Sequence, residues 1–132
     1  MRAITLNPPA SPEEVRKLRR QLPRLPSEYF EFLTRSNGGE GFLGVSPGYF
    51  VLWPAESVVR FTHEYELHIY LPGYVCVGSS GGGTLLVFPV PGLPTGLFAV
   101  EAIGMAIEDL ELVTPSFHEF VAAFGGEWAE GV

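Results

Sequence analysis

The chain holds a single cysteine, Cys76, and no lysine or arginine beyond Arg60. One thiol cannot close an internal disulfide, so the disulfide-stapled secreted class is excluded and a packed core must hold the fold. The missing cations argue against a nucleic-acid groove in the second half, because nothing there could replace the counterions of a phosphate backbone. No apolar run approaches the roughly 20 residues that cross a bilayer. The opening "MRAITLNPPASPEE" breaks into prolines and acids where a secretory leader would have its apolar core. With no lipidation box in view either, a cytoplasmic protein is expected. Charged residues are few, 17% against 46% hydrophobic, which is too apolar for a disordered tail.

What is present is unevenly spread. Residues 1–60 carry all eight basic side chains and six acidic ones, whereas Glu64, Glu66, Glu101, Glu108, Asp109, Glu111, Glu119, Glu127 and Glu130 follow with no cation among them. The halves thus differ in sign, and a basic partner is favoured for the second. At 132 residues one domain is expected over 1–132, with its core at about 11–125.

Periodicity and punctuation give the elements. Ser11, Pro12 and Glu14 mark a helix start, with Val15, Leu18 and Leu22 on one face. Its cluster Arg16, Lys17, Arg19 and Arg20, continued by Arg24, reads as a solvated helix surface diluted by Glu13 and Glu14, with a nucleic-acid or membrane face as the alternative. Pro26 opens a second helix carrying Tyr29, Phe30, Phe32 and Leu33, and Asn37 with Gly38 supplies a C-cap and turn, with a ligand-facing backbone as the alternative. "GFLGV" and "GYFVLW" form an aromatic hairpin around Ser46, Pro47 and Gly48. Helical spacing returns over 54–67, with Val58, Phe61, Tyr65 and Leu67 inward. Strands follow in "YVCVG", "TLLVFPV" and "GLFAVEAIGMAI", and their tight glycine connections predict an antiparallel meander. Thr114 and Pro115 start a last helix that stacks Phe117, Phe120, Val121 and Phe124. The leader before Ser11 reads as loose chain.

Catalytic chemistry finds little support. His63 and His68 are five apart, about 140° around an unbroken helix, so they would not share a metal there. The "GSSGGGTLLVF" glycines lack a following lysine and run into a strand, which makes a β-turn of what resembles a phosphate cradle. Ser79 and Ser80 have no base placed beside them by sequence, Cys76 reads as a small core hydrophobe, and His118 with Glu119 as a solvent-facing pair. No glycosidase-type carboxylate pair can be asserted among the separated acids. No catalytic residue, metal or cofactor is expected.

The order of motifs carries more than any one of them. "LPSEYFEFLTRSNGGEG", an aromatic hairpin ending at Trp53, a helix with Glu56 and Tyr65, "PGYVCVGSSGGGTLLVF" and a closing "SFHEF" helix together resemble the SUKH superfamily over roughly residues 11–125. That superfamily includes fungal cell-wall assembly and killer-toxin-resistance regulators and many bacterial immunity proteins. The resemblance rests on Leu25, Pro26, Tyr29, Phe32, Leu33, Asn37, Gly38, Gly39 and Trp53, and on Gly78, Gly81, Gly82 and Gly83. It departs at Thr84, where many relatives carry an acidic residue, and at Pro89, Pro91 and Pro94. It implies an α+β domain with a central, mostly antiparallel sheet flanked by N-terminal and C-terminal helices, no enzymatic activity, and a role in binding another protein. The implied partner is a toxin, often a nuclease, or for a regulatory scaffold a cellular enzyme or signalling protein. A basic toxin domain would meet carboxylates, so Glu64, Glu66, Glu101, Glu108, Asp109 and Glu111 are the candidate contact residues, with no direct nucleic-acid or membrane binding.

Overall fold

The computed structural model describes residues 4–43, 48–90, 96–125 and 128. Its elements run β1 (Ile4–Leu6), α1 (Pro12–Gln21), α2 (Ser27–Arg35), β2 (Gly39–Phe42), β3 (Tyr49–Leu52), α3 (Ala55–Glu64), α4 (Leu67–Tyr70), β4 (Tyr74–Ser79), β5 (Thr84–Pro89), β6 (Leu97–Glu101), β7 (Glu111–Thr114) and α5 (Phe117–Ala122). The seven strands form one sheet in chain order, and every neighbouring pair is antiparallel. This is the expected α+β meander with helices packed on it.

Period-two alternation gives the sheet two apolar faces. On β5, Leu86 and Phe88 enter a large core with Val15 and Leu18 of α1, Tyr29, Phe30, Phe32 and Leu33 of α2, and Phe117 and Phe120 of α5. Edge-on aromatic pairs fill it, such as Tyr29 with Phe117 at 5.3 Å and Phe50 with Phe120 at 5.5 Å. Leu85 and Val87 face the other way, into a smaller core with Trp53, Leu67, Leu71, Cys76, Val100 and Met105. Each large side chain buried in either core contributes about 1.5–3 kcal/mol.

Helix α3 serves both cores, placing Ala55 and Val58 in the large one and Phe61 against the small one. It can do so because β3 and β4 part early. Their register covers only Val51↔Ser79 and Leu52↔Gly78. Where the ladder stops, the Thr62 hydroxyl accepts from the Cys76 N–H at 3.2 Å and donates to the Cys76 carbonyl at 3.4 Å, supplying the missing strand partner.

Four sequence expectations are corrected. The leader holds β1, whose Ile4 and Leu6 pack on the large core and whose partners are the glycines of β2; that pairing is too remote to read locally. The strand expected over 96–107 ends at Glu101, and the chain turns through Gly104, at φ +72°, before β7. The helix expected to 67 breaks at Glu66, whose φ is +60°. The last helix is capped by Ser116, whose side chain accepts from the Glu119 N–H at 3.2 Å, while Thr114 ends β7. The Ser46 and Pro47 turn, together with Pro91 and Pro94, lies outside the described residues.

Candidate protein-binding surface

The residues that carry the resemblance are scaffold. Leu25, Tyr29, Phe32 and Leu33 are buried in the large core, and Pro26 is the N-cap of α2. Asn37 is not the C-cap expected from the sequence: that position is Ser36, and Gly38, not Asn37, takes positive φ. The Asn37 side chain caps the next helix instead. Its Oδ1 accepts the Ala55 N–H at 2.7 Å and its Nδ2 donates to Glu56 Oε1 at 3.1 Å. Its backbone N–H donates to Pro8 O, and its carbonyl accepts from Asn7 Nδ2. One residue thus ties the end of β1 and the exit of α2 to the start of α3.

The glycines divide by cause. A Cβ on Gly38 would lie 2.3 Å from Leu52 O, one on Gly39 2.6 Å from Thr5 O, and one on Gly78 2.2 Å from Val51 O, so these three admit neighbouring backbone that no side chain would. Gly81 takes φ +85° in the β4–β5 turn. Gly82 and Gly83 have nothing nearer than 3.8 and 3.9 Å to a Cβ. The turn is closed by Ser79 and Ser80, whose hydroxyls accept the N–H groups of Gly81 and Gly82.

The remaining candidates for chemistry are now placed. His63 and His68 do meet, contrary to the continuous-helix argument, because the break at Glu66 restarts the helix and stacks the two rings at 5.2 Å with planes 6° apart. Among the described residues no group of three or more His, Cys, Asp or Glu is arranged to hold a metal ion. Burial pushes the Cys76 thiol up to about 11 against the opposing hydrogen bond from Thr62, so it is not a thiolate at neutral pH. His118 and Glu119 are both exposed. His118, Glu28, Glu31, Arg35 and Trp128 border a depression of about 110 Å³ between α2 and α5, below the roughly 300 Å³ at which small-molecule sites begin.

The six candidate carboxylates do not share one face. Glu64 ends α3, 3.9 Å from Arg60 Nε, and Glu66 sits at the helix break. Glu108 and Asp109 lie exposed on a short 3-10 turn in the 102–110 segment, which packs on the small core through Met105 and Leu110. Glu101 stands opposite Thr84, which donates to its Oε2 at 2.7 Å, and Glu111 opposite Ala99. By strand alternation these last two have the orientation of Leu97 and Ala99, toward the large core, but at the rim of the sheet.

Sequence reasoning missed one feature of this side. Among the described residues the exposed large apolar side chains are Phe42, Tyr65, Ile69, Tyr70, Ile103, Ile107 and Leu112. Apart from Phe42 on β2, all belong to segments that pack on or beside the small core. Tyr65 stacks parallel to Trp53 at 6.2 Å, Leu112 stands opposite Phe98, and Phe42 has the orientation of Val51. The signal lay in "ELHIYL" and "AIGMAI", which hold more apolar residues than a single buried stripe needs. Which of them face out depends on the packing of Leu67, Leu71 and Met105.

Compared with known proteins, residues 9–123 match the family model described as the SMI1 / KNR4 family (SUKH-1). No curated protein matches the chain. No helix among the described residues is long and apolar enough to cross a membrane.

Proposed function

The chain belongs to the SMI1 / KNR4 family (SUKH-1), and from that premise we propose that it is an immunity-type module that neutralises a basic toxin domain by covering its working surface. The observation that carries this reading is the charge split. Arg16, Lys17, Arg19 and Arg20 lie on α1, over the large core, whereas after Arg60 the chain has aspartate and glutamate but no lysine or arginine. A toxin that cleaves nucleic acid must present a cationic groove, and of the six candidates Glu64, Glu66, Glu108 and Asp109, which belong to the segments packed on the small core, would oppose it, while Glu101 and Glu111 face the other side of the sheet. Such a field steers encounter and raises the association rate at low salt.

The test is functional. Where a neighbouring reading frame encodes a secreted protein with a toxic C-terminal domain, co-expression of this chain restores growth. In vitro, inhibition of that domain is complete at one molar equivalent. Inhibition at far below one equivalent would mean turnover and would overturn surface occlusion. Changing Glu64, Glu66 and Glu108 together to lysine weakens binding and flattens its salt dependence; unchanged affinity removes the electrostatic part.

A further inference from the structure

We propose that the partner docks on the small-core side, over α4 and the 102–110 segment, and that apolar contact dominates the affinity there. The occupant is a folded protein presenting an aliphatic or aromatic knob ringed by lysine or arginine. This rests on the protein-binding reading above and adds to it the face and the chemistry of the occupant.

Ile103 is 93% exposed, and Ile69, Tyr70, Ile107 and Leu112 are 53–60% exposed. A lone exposed isoleucine requires no explanation, but several around one small core do. Leu67 of α4 and Leu71, which follows it as the C-cap, are fully buried and take the inward positions, so Ile69 and Tyr70 are left outside. The rim is anionic: Glu64 and Glu66 precede α4, and Glu108 and Asp109 follow Ile107. Arg60 of α3 lies 3.9 Å from the exposed Glu64 and 4.7 Å over the Phe61 ring, at the border where α3 meets Lys17 of α1. His63 and His68, stacked on each other, are exposed beside Glu64 and Ile69 in the chain. An apolar centre with a polar border is the anatomy of a protein interface.

Charge selects the occupant. A second copy of this chain, docked about a two-fold axis, would set these carboxylates against themselves, since such an interface uses the same patch twice. A basic surface is complementary. The opposite side of the molecule, where α1 carries the arginines, has no large apolar side chain exposed among the described residues.

A photo-crosslinking residue is placed at position 103, or at Arg20 on α1 as control, in the full chain made in its own cells. The captured protein is identified, purified and rebound to the unmodified chain. Capture is expected through position 103 and not through position 20. The double variant I103S/I107S is expected to bind the purified partner about 100-fold more weakly, mainly through faster dissociation, and to keep its urea midpoint. E108K/D109K slows association and reduces its salt dependence. Capture only through position 20, with I103S/I107S binding within twofold of the unmodified chain, refutes this face and leaves the protein-binding reading standing. No capture at either position, with no binding to the toxin domain of the co-expression test, brings down both. Capture of a second copy through position 103, with a dimer that I103S abolishes, overturns the basic partner.

Discussion

Asn37→Ala removes the acceptor for the Ala55 N–H, one of the first-turn donors that α3 cannot satisfy internally, and the donor to Glu56. Losing a side-chain cap costs about 1–2 kcal/mol. The bond to the exposed Glu56 adds about 0.5 kcal/mol, since solvent competes for it. The sum is about 2 kcal/mol, or about 8 °C in Tm for a domain of this size. Asn37→Asp retains the Oδ1 acceptor and should lose about 0.5 kcal/mol. Asn37→Gly is the decisive variant. If the residue were only a turn position tolerant of positive φ, glycine would be neutral or better; in the capping role seen here it should cost as much as alanine. Urea unfolding with an unchanged m-value is the assay, and a cycle with Glu56→Ala isolates the outer bond. Alanine and glycine variants both within about 0.5 kcal/mol of the unsubstituted chain would refute the capping role.

Gly78→Ala places a Cβ 2.2 Å from Val51 O and should cost about 3 kcal/mol by parting β3 from β4, while Gly83→Ala should change the urea midpoint by less than the equivalent of about 0.5 kcal/mol. Tyr29→Phe deletes a buried hydroxyl with no hydrogen-bond partner among the described residues and should leave stability equal or raise it by about 1 kcal/mol; a loss above about 1 kcal/mol in the same assay would show an unseen partner. Burial raises both Cys76, from an ordinary 9.0 to about 11, and Tyr29, so above pH 9 the unfolded chain releases these protons first and stability falls as pH rises. Each group contributes at most about 1.4 kcal/mol per pH unit. Urea midpoints from pH 8 to 10.5 should therefore decline, and Cys76→Ala should make the decline shallower; an unchanged slope would refute the assignment.

The regular elements were legible wherever local chemistry and burial agreed. Ser11, Pro12 and Glu14 announced α1, and the Ser11 hydroxyl does accept the Glu14 N–H. The apolar spacing of Tyr29, Phe30, Phe32 and Leu33 announced α2, and all four are buried. Reading failed where a distant segment decides. β1 exists because Gly39 and Gly41 lie where it can pair with them. Asn37 looked like the end of one helix because its partner at the start of another is 18 residues away. The histidine separation was worked on a straight cylinder, and one left-handed residue, Glu66, brought the rings together. The acidic character of the second half could be counted, but strand register divided its members, turning Glu101 and Glu111 away from Glu108 and Asp109.

By itself the order of amino acids determined the antiparallel class, the helices that cover the large core and the segregation of charge, because capping, periodicity and the sign of a side chain act over a few neighbours. The tertiary structure alone decided which glycines admit a crossing backbone, what Asn37 holds, and that the small core leaves isoleucines and tyrosines in water beside carboxylates. Exposure belongs to the packed whole: a residue is outside only once others have filled the space within.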